Sequence, residues 1–261
     1  METLYDIWAR IAYYISLRYL FFAGGAYLLF YVLLRSRLFQ QKIQQVFPKN
    51  QRILMEVLYS VQTTVIFSTI FLLVVVVFRP YTNLYASVSD YGLIYYLFTI
   101  PVMFLLHDTY FYWMHRVIHH PKLFRHIHLV HHQSTNPTPL AAYSFHFTES
   151  ILEGMIIPII AFTLPVHPSA LILFLFGQFV INVYGHLGFE LFPRGFQRTR
   201  IGKWINTSVA HNQHHKHFQG NYGLYFLFWD RWMGTLREDY DTAFDEVKNR
   251  KKHVHGELQR N

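Results

Sequence analysis

Three histidine-rich stretches hold most of the residues here that could do chemistry. The first is His115-Arg116-Val117-Ile118-His119, with His107 two turns earlier. The second is His128-Leu129-Val130-His131-His132, and the third, His211-Asn212-Gln213-His214-His215, repeats its spacing. Four residues advance a helix by one turn plus about 40°, so His115 and His119 share a face. His128, His131 and His132, at i, i+3 and i+4, share a face in the same way. Adjacent histidines point about 100° apart, so His131 and His132 would not easily bind one ion. Two ions side by side remove that conflict, with one neighbour serving each. His186 follows an apolar run and adds a ninth candidate. Imidazole suits iron, zinc, copper and nickel, and eight or nine rings exceed one ion's needs.

A single histidine, or a single i, i+4 pair, is usually a satisfied core or interfacial residue. The repeated triplet is different, because this many imidazoles packed together without a metal leave many ring nitrogens in need of partners. His107, Asp108, His126 and His146 lie near the clusters and are candidates for orienting the ligands from outside. Asp108 has an alternative role as a partner for Arg116 or another cation. His120 and His217 read as orienting or surface residues, and His167, His253 and His255 as incidental. Acids near the site are few, namely Asp108, Glu149, Glu153 and Glu190. The donors are therefore almost wholly nitrogen, unlike the Glu and Glu-x-x-His motifs of soluble di-iron bundles.

The elements that position these residues are membrane helices. Of 261 residues, 52% are hydrophobic and 15% charged, against about a quarter charged in soluble domains. Residues 19–34 are an uncharged apolar run between Arg18 and Arg35, short for a span unless snorkelling arginines extend it. Residues 57–78 form a second run, and residues 92–106 a third, which leads through Pro101 into His107. Residues 151–164 and 169–185 form an apolar pair joined by Pro165-Val166-His167-Pro168, consistent with a hairpin that enters and returns. The expected count is four or five spans. The basic linker 35–52 carries no acid, and Arg194, Arg198, Arg200 and Lys203 follow the hairpin. The positive-inside rule places both, and every histidine cluster, in the cytoplasm.

The expected fold is thus all-α, a polytopic membrane helix bundle with a cytoplasmic helical cap that holds a histidine-rich di-metal site. Residues 1–106 are N-terminal transmembrane helices, 107–237 the histidine region with a membrane hairpin at about 151–185, and 238–261 a polar C-terminal tail. The chain lacks cysteine, which excludes disulfides, thiolate ligands and iron–sulfur ligation within it. The net charge of +8 is read as loop charge facing an anionic leaflet, not nucleic-acid binding. The first residues lack the basic region and cleavage site of a signal peptide. Tyr112, Trp113, Tyr222 and Trp229 are candidates to wall the metal chamber, with plain packing as the alternative.

Residues 105 to 237 resemble the fatty acid hydroxylase/sterol desaturase superfamily of membrane di-iron oxidases. The likeness rests on His107-Asp108-Thr109-Tyr110-Phe111-Tyr112-Trp113-Met114-His115-Arg116 and on the three clusters in order. Pro137-Thr138-Pro139, Gly185-His186-Leu187-Gly188-Phe189-Glu190, Asn221-Tyr222-Gly223 and Trp229-Asp230-Arg231-Trp232-Met233-Gly234-Thr235 extend it. The Pro-Thr-Pro and Asn-Tyr-Gly segments look closest to sterol C-5 desaturases. The resemblance implies ligand roles for His115, His119, His128, His131, His132, His211, His214 and His215, and for His186 outside the repeated boxes. It implies two non-haem iron ions, O2 as co-substrate, and hydroxylation or desaturation of a sterol, fatty acyl or related lipid C–H bond.

Zinc offers no redox chemistry for that reaction. No dinucleotide fingerprint or His-Pro-Gly-Gly haem segment is present, so electrons are expected from an external ferredoxin or b-type cytochrome with its reductase. A membrane haem electron carrier or a metal transporter are the alternatives. The first uses isolated histidine pairs on separate helices, and the second spreads ligands along a path through the membrane.

Overall fold

The computed structural model describes residues 2–250. His253 and His255 lie outside these residues, as does the end of the expected tail from residue 251 on. Four helices are long and apolar enough to cross a membrane: α1 (Leu4–Leu33), α2 (Asn50–Val77), α3 (Gly92–Ile118) and α8 (Pro168–Gly185). Short helices complete the described chain: α4 (Pro121–Ile127), α5 (Leu129–His132), α6 (Phe147–Gly154), α7 (Ile156–Thr163), α9 (Ser208–His217), α10 (Phe228–Trp232) and α11 (Tyr240–Asn249). The all-helical expectation holds, with four candidate spans. Of the stretch expected to form a hairpin, α8 is a candidate span, and residues 147–163 form the two shorter helices α6 and α7.

Contacts between loops assign the two ends of the bundle. At one end, Asn83 N–H donates to Ala161 O at 2.7 Å and Tyr85 N–H to Val166 O at 3.2 Å. At the other, linker residue Ile43 donates to Gly188 O at 2.9 Å, and Gln44 reaches Thr135 O at 2.8 Å and Asn212 at 2.9 Å. The linker and all the histidine clusters therefore share one end.

α2 shows why the bundle suits lipid. Its buried residues are Glu56, Ser60, Thr63, Thr64 and Ser68, while Leu54, Leu58, Val61 and Val65 face out. Small hydroxyl residues let neighbouring backbones approach, and apolar side chains meet the acyl chains. Ser60 donates to Leu140 O at 3.0 Å, and Thr63 pairs with Ser150 at 2.8 Å. The buried Glu56 carboxylate accepts from Thr138 Oγ1 at 2.5 Å and Thr138 N at 3.4 Å, which ties the Pro137-Thr138-Pro139 segment to this span.

Two expectations change. The first candidate span begins at Leu4 rather than residue 19, so Arg18 lies within the helix instead of bounding it. Its guanidinium turns inward, to Leu175 O at 2.8 Å and Tyr143 Oη at 2.5 Å. The second concerns the stretch read as a polar tail from residue 238. Tyr240–Asn249 is an amphipathic helix that buries Tyr240, Phe244 and Val247 against Val209, Ala210 and Leu227.

Candidate metal centre

Four separate pieces of chain bring the nine candidate histidines together. His115 lies in the last turn of α3 and His119 at its C-cap. His128 joins α4 to α5, which carries His131 and His132. His186 caps the C-terminus of α8, and α9 supplies His211, His214 and His215. The nitrogens sort into two groups, within each of which all lie within 4.8 Å of one another. One group is His115, His119, His128, His132 and His214, and the other His131, His186, His211 and His215. The adjacent pairs divide as the helical geometry requires: His131 and His132 serve different groups, and so do His214 and His215.

Anchoring at Nδ1 decides what the other nitrogen can do. His115 Nδ1–H donates to Tyr222 O at 2.9 Å and His214 Nδ1–H to Gly220 O at 2.8 Å. His131 donates to Ser144 O at 3.2 Å, His186 to Asn182 O at 2.9 Å and His215 to Ser134 O at 3.0 Å. His128 Nδ1–H donates to the Glu149 carboxylate at 2.6 Å. A carbonyl only accepts, so the proton in these rings sits on Nδ1 and Nε2 presents a lone pair. These Nε2 atoms converge on one another and on His211 Nε2. His115 and His128 Nε2 are 3.0 Å apart, His186 and His211 3.0 Å, His215 and His211 3.1 Å, and His186 and His131 3.3 Å. His214 Nε2 is buried without a partner.

Lone pairs facing each other at that range repel unless a cation lies between them. Two ligands about 2.1 Å from one ion and at right angles are themselves about 3.0 Å apart. The donor set therefore fits a pair of imidazole-bound metal ions. Burial pulls the rings outside the spans below the ordinary histidine range, His186 to about 4, and neighbouring imidazoles push most of them the same way. They are neutral at pH 7, as metal ligands must be. A haem would need a flat slot between its axial ligands, and five ring nitrogens within 4.8 Å leave none.

Two buried aspartates hold the loop that supplies the Tyr222 and Gly220 carbonyls. Asp230 accepts from Tyr222 N and Gly223 N, both at 2.8 Å, and from Thr235 Oγ1 at 2.7 Å. Asp108 accepts from Tyr225 N at 2.7 Å and Phe226 N at 3.2 Å. It contacts neither a candidate ligand nor Arg116, the two roles considered for it, because the loop's backbone donors occupy it. Asn221 adopts φ +54, which asparagine tolerates, and its side chain donates to Ala210 O at 2.9 Å. A Cβ on Gly223 would stand 2.2 Å from Phe226 O, so only glycine fits.

The other outer candidates scatter. His107 is buried and pairs with Tyr225 Oη at 2.8 Å rather than with a ligand. His146 caps α6, and His126 is exposed on α4. Tyr222 alone of the four named aromatics stands against the cluster, with ring centroids 5.1 Å from His119 and 5.6 Å from His115. Tyr112 instead stacks on Trp229, as does Trp113 edge-on. Phe111, Phe145 and Phe218 are the walls that sequence reasoning missed, at 4.9, 5.0 and 5.1 Å from His115, His131 and His132. Aromatic residues fill the whole chain, so no local signal singled these out.

An apolar cavity of about 360 Å³ lies between α1, α2, α7 and α8. It shares Phe145, Glu153, Gln178 and Asn182 with the histidine chamber.

Residues 100–235 match the fatty acid hydroxylase family model. Among curated proteins, the chain is 33% identical to a lathosterol oxidase of Rattus norvegicus over 61% of its own length and 52% of that protein. It is 31% identical to a Delta(7)-sterol 5(6)-desaturase of Leptosphaeria maculans over 64% of its length and 45% of that protein. A Delta(7)-sterol 5(6)-desaturase of Schizosaccharomyces pombe is 32% identical over 89% of this chain and 76% of the relative. The chain thus spans about half the length of the first two relatives and three quarters of the third. No solved structure matches it. The family model covers just over half of the chain and all nine converging histidines, and the chain belongs to the fatty acid hydroxylase family.

Proposed function

We propose that this chain is an O2-dependent lipid oxidoreductase whose nine histidines hold two non-haem iron ions. His115, His119, His128, His132 and His214 would hold one, and His131, His186, His211 and His215 the other. The observation that carries this reading is the pair of converging sets of ring nitrogens, six of the nine rings fixed by carbonyl or carboxylate anchors, at the end of an apolar cavity. Two irons supply the electrons needed to activate O2 against an unactivated C–H bond, which zinc does not. The protein's own contribution is to hold the rings neutral and oriented, to keep the chamber dry with Phe111, Phe145 and Phe218, and to deliver an apolar chain.

The names of the relatives point to sterol ring desaturation. The wider class is hydroxylation or desaturation of a sterol, acyl or related lipid. Substrate reaches the cavity sideways from the bilayer: wall residues Tyr14 and Ile172 are 63% and 56% exposed on the outer face of α1 and α8. The histidine end faces the cytoplasm, supported by the basic linker that packs on it. There an external ferredoxin or b-type cytochrome would deliver electrons. The test is metal analysis of purified protein with lipid mass spectrometry of cells with and without it. Two irons per chain and a lipid product that needs O2 are expected. Zinc alone, or an unchanged lipid profile, refutes the proposal.

A further inference from the structure

Arg18 is a cation in the wall of the apolar cavity, without a charge partner among the described residues. It lies near the middle of α1, roughly 20 Å along the helix from either end. A charge at that depth is expensive and marks function. The side chain does not reach for the interface. Nη1 donates to Leu175 O at 2.8 Å, Nη2 to Tyr143 Oη at 2.5 Å, and the guanidinium lies 5.0 Å over the Phe179 ring. A guanidinium offers five N–H donors, and these contacts use two. Nε is buried with no partner. No carboxylate among the described residues pairs with Arg18, although Glu153 lines the same cavity. The neighbouring walls are Ile11, Ile15, Phe71, Ile157 and Ile172.

A hydroxyl would satisfy a spare N–H but leave the charge uncompensated. A carboxylate satisfies both, and a guanidinium matches its two oxygens. We infer that Arg18, with the Tyr143 hydroxyl beside it, binds the carboxylate of an acidic lipid, whose chain runs on past Phe145 and Gln178 to the histidine chamber. Placement at the cavity wall would set which carbon along the chain reaches the chamber. The inference rests on the proposed lipid oxidation in general and not on a sterol as the substrate.

The test measures displacement of a fluorescent fatty acid from the full chain in nanodiscs by hexadecanoate and by hexadecanol. Wild type should bind the acid at least about tenfold tighter than the alcohol, as expected for a charge-assisted over a neutral hydrogen bond. Arg18→Gln should abolish the preference with iron content unchanged, and Arg18→Lys should keep part of it. A merely structural arginine would lower the melting temperature of R18Q and leave the preference intact, which overturns the inference. Equal binding of acid and alcohol by wild type overturns it too, and decides the matter should R18Q not fold. Iron-free protein that still prefers the acid refutes the di-iron proposal and spares this one. An iron-loaded, active protein without the preference does the reverse.

Discussion

Glu149→Gln should separate the two proposed ions. Glu149 is fully buried, and its Oε1 accepts the His128 Nδ1 proton at 2.6 Å. Its other oxygen is buried with no partner. The glutamine amide oxygen can still accept that proton, so the ring keeps its tautomer and its place. Burial pushes the Glu149 carboxyl up, so its charge would develop only as a metal draws on His128; glutamine cannot supply that charge, which would make the ring a stronger donor. Loss of such an outer partner costs about 10–100-fold in metal affinity, or about 1.4–2.7 kcal/mol. The loss should fall on the group containing His128, since His131, His186 and His215 in the other group have their own carbonyl anchors. The assay is a chelator titration of iron-loaded protein, followed by absorbance of the iron–chelator complex. One equivalent should leave at a chelator concentration about 10–100-fold lower than in wild type, and the other at an unchanged concentration. If both equivalents shift together, or neither shifts, the assignment of Glu149 to a single ion is wrong.

Three further outcomes follow from the same geometry. Burial pulls the cluster histidines below the ordinary range, His186 to about 4, so the unfolded chain binds more protons than the folded one below about pH 6.5. Stability of the metal-free protein should therefore fall as pH drops from 7 toward 4, by up to about 1.4 kcal/mol per pH unit for each histidine, and a melting temperature flat over that range would contradict it. Asp230→Ala leaves the N–H groups of Tyr222 and Gly223 unpaired in a buried loop, at about 1–3 kcal/mol each. It should lower the melting temperature by several degrees and release the ion near His115, while Asp230→Asn recovers part of both in thermal melts and metal analysis. Arg198 is already paired with Asp245 at 2.6 Å, whereas Arg200 and Lys203 are exposed. If the external electron donor docks there, neutralising Arg200 and Lys203 should slow turnover and flatten its salt dependence, and neutralising Arg198 should do less.

Local spacing was enough to reveal that imidazoles would pair on helix faces and that adjacent rings would fall into different groups. Both conclusions depend only on the angle between successive residues of a helix, which every chain shares. Apolar run length likewise exposed the all-helical bundle and its candidate spans. The sequence could not show which rings meet across the fold, because His115 and Tyr222 stand 107 residues apart and His131 and His186 55 apart. Nor could it show that Glu149 anchors His128 while Asp108 and Asp230 clamp backbone amides, since a carboxylate's partner is whatever the packed chain delivers to it. Arg18 makes the point most sharply. In sequence it bounds an apolar run and reads as an arginine reaching for the interface. Only the packing of α1 against α8 and the Tyr143 segment turned it inward, where the Leu175 carbonyl and the Tyr143 hydroxyl hold its guanidinium.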